Sequence, residues 1–410
     1  MLARELSTPS LTVDLDALER NIDRGAELCR RQGVGLRPHT KTHKTLEVSR
    51  LQLAHGAVGL TVAKVGEAEV MAGAGFDDIL VAFPIMGEEK LQRLARIARA
   101  RRLLLSLDSE AAAQELSRAA TSQNATIGVL VEFDSGAKRC GLEPGPALVT
   151  LAKAIEKLPG LKFRGLMGYF GNVWGTLEQR RAEAEHVAQL VTRGLEAFRA
   201  ERMPVEIVSG GSTPSAEFAH LIPGLTEIRP GTYVYNDLNT YHQGACSLED
   251  CAVRVVVTVV STAVPGRAII DAGSKTLSSD LLGSGPKSGY GYVVEAPDAP
   301  IIKLNEEHGY LDITQSQHNF RVGEVVTIIP NHVCATVNMH DEIITLRQGE
   351  AVGCWKIAAR GKVRYRTPAW GKCASPRGVL SISSRTRRAA SGLCSAMNCQ
   401  ISVMSCAARG

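Results

Sequence analysis

No stretch of 18 apolar residues occurs in the 410-residue chain, so no membrane-spanning helix is expected. Its start, Met1-Leu2-Ala3-Arg4-Glu5-Leu6-Ser7, lacks the apolar core of a signal peptide, and a cytoplasmic location is expected. Ten cysteines are present but none forms a CxxC pair. With no export signal, that pattern argues against a disulfide framework, and most of the thiols are expected to be buried and inert. Acids are missing altogether from 365–410, where seven Lys/Arg lie. Those seven exceed the formal net charge of +5, so residues 1–364 are near neutral and advertise no nucleic-acid partner. The segment 364–410 has no periodicity, and its Cys394, Cys399 and Cys406 lack zinc-ribbon spacing. Disorder is expected there.

What is present is a steady alternation. Strand-like runs read at Val34–Pro38, Gly59–Ala63, Asp78–Phe83, Arg102–Leu107, Ile127–Phe133, Phe163–Tyr169, Glu206–Ser209 and Glu227–Tyr233. Between them, apolar residues recur at three and four, as in Glu88–Ala100, Ser109–Ser122, Pro146–Leu158 and Leu177–Arg202. Roughly eight such β–α units within the first 244 residues predict a parallel (β/α)8 TIM-type barrel. A doubly wound open sheet is the alternative, but no GxGxxG follows the first strand. From 245 to 363 the texture turns β-branched, with runs at Ala252–Val264, Arg267–Asp271, Val293–Glu295, Val325–Ile329 and Ile343–Leu346 punctuated by turns. This predicts a mostly antiparallel β domain, with which the first residues of the chain can pair.

Arg37-Pro38-His39-Thr40-Lys41-Thr42-His43-Lys44 is the most informative stretch. At strand period His39, Lys41 and His43 face one side. A lysine at the carboxyl end of the first barrel strand, crowded by cations and partly buried, has the environment of a nucleophilic, Schiff-base-forming amine. A basic loop at a barrel rim would present the same residues. Strand seven runs into Ser209-Gly210-Gly211-Ser212-Thr213, and strand eight ends in Arg229-Pro230-Gly231-Thr232-Tyr233. Glycines followed by hydroxyls at these two positions suit a phosphate. A lysine opposite a phosphate cup implies pyridoxal 5'-phosphate. In Pro330-Asn331-His332-Val333-Cys334, a strand would turn His332 and Cys334 the same way, so that they can share an ion. A His and a Cys buried in a β core fit the same pattern.

From Thr8-Pro9-Ser10-Leu11-Thr12-Val13-Asp14 to Ala358-Ala359-Arg360-Gly361 the chain resembles the D-threonine aldolase and D-serine dehydratase family, whose barrel is shared with alanine racemase. The matching elements are Arg37–Lys44, Arg139-Cys140-Gly141, Tyr169-Phe170-Gly171, Gly210–Thr213, Gly231–Tyr233, Asp271-Ala272-Gly273 and Glu307-His308-Gly309. The resemblance implies that Lys41 holds pyridoxal phosphate, that Arg139 lies beside its ring, and that His332 and Cys334 bind a divalent metal. A thiolate ligand favours zinc over manganese or magnesium. It also implies a D-3-hydroxy amino acid as substrate and a homodimer.

Two reactions are open by resemblance. An aldolase breaks Cα–Cβ to glycine and an aldehyde. A D-serine or D-3-hydroxyaspartate dehydratase loses the α proton and the hydroxyl, giving an oxo acid and ammonia. Asn338-Met339-His340-Asp341 and the Trp355…Gly361 ending resemble the aldolases, which we take as the main expectation. Cys334 resembles the dehydratases, and Asn172-Val173-Trp174-Gly175 has no imidazole where some members carry one. A racemase would need a second base, for which Tyr290 and Tyr292 are candidates. A non-catalytic pyridoxal phosphate carrier is the remaining alternative. His308 is a further candidate for the substrate pocket, and Asp271 for orienting a loop.

Overall fold

The computed structural model describes residues 2–283 and 289–363; the expectations for the tail lie outside them. Strand β1 (Ser10–Asp14) leads into helix α1 (Leu15–Gln32). Asp14 caps that helix by accepting from the N–H groups of Asp16 and Ala17, and Gly33 ends it at φ 67°. Eight parallel strands follow: β2 (Gly35–Leu36), β3 (Leu60–Val62), β4 (Asp78–Val81), β5 (Arg102–Leu107), β6 (Ile127–Glu132), β7 (Leu161–Met167), β8 (Ile207–Gly210) and β9 (Glu227–Ile228). They run in the order β2-β9-β8-β7-β6-β5-β4-β3. The ring closes just past β2, where Thr61 donates to the Pro38 carbonyl at 2.9 Å and Thr40 donates to the Thr61 carbonyl at 2.8 Å. Lys41 is the next residue.

Alternate strand positions explain the two-sided burial. Ile79, Val81, Leu103, Leu105, Val129 and Val131 pack with the helices. Leu80, Leu104, Leu130, Met167 and Ile207 face inward as a separate apolar cluster. A polar column shares the interior. Arg37 Nε donates to both Glu227 oxygens at 2.9 and 2.8 Å, and its Nη1 to Asp78 at 2.6 Å. Ser209 donates to Glu227, and Arg229 donates to Ser209, each at 2.6 Å.

The second sheet comprises β1 with β10 (Val253–Ser261), β11 (Arg267–Ile270), β12 (Tyr292–Val293), β13 (Ile301–Leu304), β14 (Gly309–Asp312), β15 (Val325–Ile329), β16 (Glu342–Arg347) and β17 (Glu350–Lys356). It is antiparallel except where β1 lies parallel to β16. Because β1 pairs with β10 at Val13↔Val253, the chain begins in the β layer before entering the barrel. Met1–Tyr365 form one compact unit.

Expected strand is missing at two places that matter for the site. Glu227–Tyr233 is strand only at Glu227–Ile228; Pro230 has no N–H to pair, and Thr232–Val234 is a 3-10 turn. The sequence around His332 and Cys334 is not strand: β15 ends before Pro330, and Val333–Val337 is a short helix with His332 at its N-cap.

Between Val129 and Leu130 the β6–β7 register shifts, leaving Gly165 opposite Leu130. Gly165 has φ 149°, and a β carbon there would overlap the Ile207 carbonyl of β8. Gly165→Ala is expected to destabilise the unit by about 3 kcal/mol, read as a lower urea midpoint.

Candidate active site

A cavity of about 860 Å3 opens at the carboxyl ends of the barrel strands, within the roughly 300–1,000 Å3 typical of small-molecule sites. Lys41 lies exposed in it, on the turn at residues 40–43. The Lys41 N–H donates to His39 Nδ1 at 3.3 Å. Its Nζ lies 5.9 Å from the Tyr169 ring centre, and the Arg139 guanidinium lies 4.3 Å from the same centre. Thus His39, Lys41, Arg139 and Tyr169 meet at one wall.

The turn overrides strand period. His43 does not share the face of Lys41: it is buried, accepts from the Thr45 N–H at 3.1 Å, and stands edge-on to Tyr235. Nor is Lys41 buried, which removes the burial part of the sequence argument for its nucleophilicity. Lys44 Nζ instead reaches the cavity, where it donates to Asn338 at 2.7 Å and pairs with Glu67 at 3.2 Å.

Gly211, Ser212 and Thr213 line the cavity, as do Gly231 and Thr232. The two loops are joined by the Tyr233 N–H donating to Thr213 Oγ1 at 3.0 Å. Gly231 admits no side chain, since a β carbon would sit 2.8 Å from Thr42 Oγ1. Hydroxyls and peptide groups at this end suit a phosphate. Ser209 and Gly210 stand behind the cup, Ser209 turned into the polar column and Gly210 against Phe170. The Tyr233 phenol also faces away, accepting from Gln52 at 3.0 Å.

Sequence reasoning missed Arg229 as a side chain and Glu132 altogether; both line the cavity and are buried. Burial, opposed by Glu227 and Glu132, brings Arg229 down to about 10. Burial pushes the Glu132 carboxyl up against the pull of Arg229. His39 is held well below its ordinary value by burial, then by Lys41 and Arg229, and is a neutral imidazole.

The opposite wall comes from the β layer. His332 and Cys334 both line the cavity, each within reach of shifting the other's ionisation. Cys334 Sγ lies 3.2 Å from Thr42 Oγ1, beside Lys41. His332 Nδ1 contacts Asp280 at 2.6 Å. The Cys334 contact, then Asp280, raises His332 to about 9 in spite of burial. Burial pushes the Cys334 thiol up, but hydrogen bonding and charge from His332 outweigh it and bring it below its ordinary value. An imidazole and a thiolate-prone sulfur on one ledge form a donor set suited to zinc. Among the described residues no group of three His, Cys, Asp or Glu converges to hold an ion, so two protein ligands would leave positions open.

Asp237 anchors this ledge. Its Oδ2 accepts from the Val333 N–H at 3.0 Å and its Oδ1 from the Thr240 N–H at 2.9 Å. Aspartate and threonine three residues apart at a helix start were a readable capping signal. Asp280 had no such signal. Among the remaining candidates, Asp271 accepts from the Thr258 N–H and the Thr8 hydroxyl. His308 lines a separate shallow cavity with Arg267 and Tyr310. Tyr290 and Tyr292 pack beside the β core rather than lining the main cavity.

Residues 13–239 match the alanine racemase N-terminal domain, and 252–346 match a putative serine dehydratase domain. A D-threonine aldolase of Arthrobacter sp. is 33% identical over 366 residues, covering 88% of this chain and 94% of that protein. The chain belongs to this family. Its barrel and β layer superpose on the crystal structure of the D-threonine aldolase from Filomicrobium marinum with a TM-score of 0.83, at 33% identity over 89% of this chain and 99% of the other. A D-threo-3-hydroxyaspartate dehydratase of Delftia sp. is 34% identical over 369 residues, covering 86% and 97%. Structures named for that activity, each with a TM-score of 0.80, include a histidine-to-alanine variant and a cysteine-to-alanine variant in the metal-free form. The family is one of pyridoxal-phosphate-dependent lyases.

Burial lowers His43 to about 3, and lowers His39 and His340 in the same direction. Their folded values lie below the unfolded one, so their stabilisation is present above about pH 6.5 and is lost as pH falls toward the folded values. Urea unfolding between about pH 7.5 and 5 is expected to show stability falling on acidification by about 1.4 kcal/mol per pH unit per histidine below about pH 6. His43→Asn, which keeps an acceptor for Thr45, is expected to flatten that slope.

Proposed function

We propose that this chain is a pyridoxal-phosphate-dependent, divalent-metal-assisted lyase of D-3-hydroxy amino acids, of the D-threonine aldolase type. The observation that carries the reading is the 3.2 Å contact between Cys334 and Thr42. It puts one member of the candidate metal pair against the residue that follows Lys41.

When bound, the cofactor supplies an electron sink for charge at the substrate α carbon, and the metal supplies a Lewis acid for the β-oxygen. Lys41 is the residue that would hold the cofactor aldehyde. Ser212, Thr213, Gly231 and Thr232, with the Tyr233 N–H, would hold its phosphate. Arg139 and Tyr169 would flank its ring, with neutral His39 beside them. His332 and Cys334 would hold zinc, with Asp280 fixing the His332 ring through Nδ1. Held by that pair, the β-hydroxyl would lie on the β-layer side, and the Lys41 amine would be left to move a proton at the α carbon. In aldol cleavage the held β-hydroxyl would lose its proton as Cα–Cβ breaks and its oxygen becomes the aldehyde carbonyl, and the α carbon would take up a proton, for which Lys41 is the candidate donor, to leave glycine. Support for the aldolase branch comes from the Arthrobacter and Filomicrobium marinum relatives.

A specific observation favours dehydration as the second reading. After Tyr169-Phe170-Gly171 comes buried Val173 and exposed Trp174, and the only described imidazoles lining the cavity are His39 and His332. Dehydration needs a base only at the α carbon, which Lys41 supplies, and a Lewis acid at the hydroxyl. A homodimer, implied by the resemblance, and a cytoplasmic location, expected from the sequence, stay with this proposal.

Purified protein with pyridoxal phosphate and zinc or manganese is expected to convert D-threonine to glycine and acetaldehyde, with EDTA abolishing the activity. Formation of 2-oxobutyrate and ammonia instead would support dehydration. Asp280→Asn is expected to weaken zinc binding by about 10–100-fold, measured by competition with a chromogenic chelator.

A further inference from the structure

Cys246 and Cys251 bracket the short 3-10 turn Leu248–Asp250 behind the anchoring carboxylate of Asp237. Both thiols are free, and both pack into a small cluster with Leu238 and Ile329, apart from the main core. Cys251 is fully buried, while Cys246 is partly open to solvent. Packed in that one cluster, the two thiols shift each other's ionisation. Cys246 Sγ also reaches Thr240 Oγ1 at 3.5 Å, and Cys251 Sγ reaches the Ser247 carbonyl at 3.9 Å. Nothing in the lyase reading uses this pair.

We propose that Cys246 and Cys251 form a reversible intramolecular disulfide, a redox modification site whose state is transmitted to the cavity through Thr240. Thiols that share one cluster across a three-residue turn are placed to bond through a shift of that turn. The pair is also asymmetric. The neighbouring Cys251 lowers Cys246 against the effect of burial, while Cys246 and burial together raise Cys251. Cys246 is therefore the thiolate-prone, solvent-reachable nucleophile, and Cys251 the resolving thiol.

The oxidant is a peroxide. The Cys246 thiolate attacks one peroxide oxygen, the O–O bond breaks, and Cys246 becomes a sulfenic acid with release of hydroxide. Cys251 then attacks that sulfur, the S–S bond forms, and the S–O bond breaks. The thiol proton leaves with the oxygen as water. A dithiol reductant reverses the change.

Transmission follows a short path. Thr240 lines the cavity, and its Oγ1 both donates to the Asp237 carbonyl and accepts from the Asp237 N–H, each at 2.8 Å. Asp237 holds Val333, which lies between His332 and Cys334. Bonding to Cys251 draws the Cys246 sulfur to about 2.05 Å from its partner. The contact with Thr240 is then lost.

The test is peptide mapping of the full chain, reduced and then exposed to hydrogen peroxide. Remaining thiols are alkylated, and the chain is cut with a glutamate-specific protease, which separates the two cysteines at Glu249. The expected result is a Cys246 peptide joined to a Cys251 peptide, released by dithiothreitol and absent in Cys246→Ser and Cys251→Ser. Both cysteines alkylated after peroxide, or Cys246 joined to another cysteine, would overturn the proposal. For the transmission, which rests on the metal reading above, zinc-loaded protein is expected to release zinc at least several-fold faster once oxidised, with Cys251→Ser unaffected by peroxide. A mapped disulfide with unchanged zinc release would overturn the path through Thr240. Failure of the reduced protein to bind zinc would count against the His332/Cys334 reading, while the peptide map still decides the disulfide.

Discussion

The site depends on one buried carboxylate. Asp237, just past the last barrel strand, accepts the Val333 N–H and so fixes the ledge carrying His332 and Cys334 over the barrel mouth. Burial raises this carboxyl, and the N–H groups of Thr240 and Val333 pull it back down. Such a group is costly to bury and costlier to leave unpaired. The neighbouring backbone contacts, Leu238 to the Pro330 carbonyl and Asn239 to the Asn331 carbonyl, each 3.2 Å, follow from the same apposition. So does the Lys44–Asn338 bond from the first βα turn. Barrel and β layer therefore meet with fixed geometry where chemistry would occur.

A second constraint lies underneath. The column Asp78–Arg37–Glu227–Ser209–Arg229 runs through the barrel interior and ends at the cavity floor. Each charge has a partner, as a low-dielectric interior demands. Arg229 thereby presents a cation to the cavity with its orientation set on two sides, by Ser209 and by the Gly168 carbonyl. Glycines close to these elements, Gly165 and Gly231 above all, mark where backbone must approach backbone or side chain too closely for a β carbon.

Much of the barrel was legible because its signals are local. Arg102–Leu107 is a strand with the boundaries its sequence suggests, and Glu88–Ala98 and Pro146–Glu156 are helices ending two residues short of expectation. The last turns tighten, with Ala100 donating to the Ile97 carbonyl and Leu158 to the Ile155 carbonyl, each at 3.0 Å. The order of chemistry-bearing loops was legible too, since barrel topology places every βα turn at one end. Local rules failed where the chain turns. Strand period put His43 beside Lys41, yet the Lys44 N–H closes a turn on the Thr40 carbonyl and sends His43 into the core. It also put His332 and Cys334 on a strand, whereas the N-cap of a short helix brings them together. Asp280 and Lys44 were invisible because their partners lie 52 and 294 residues away. Pairings of that range leave no mark in a window of sequence.

Lys41, next to the Thr42 that touches Cys334, is the amine that would hold the cofactor. The most direct measurement is reduction of the pyridoxal-phosphate-loaded protein with borohydride, followed by peptide mapping of the modified lysine. A single phosphopyridoxyl group on Lys41, absent in Lys41→Ala, is expected. Modification of Lys44 or Lys64, the other lysines of the cavity, or of no lysine, would contradict it.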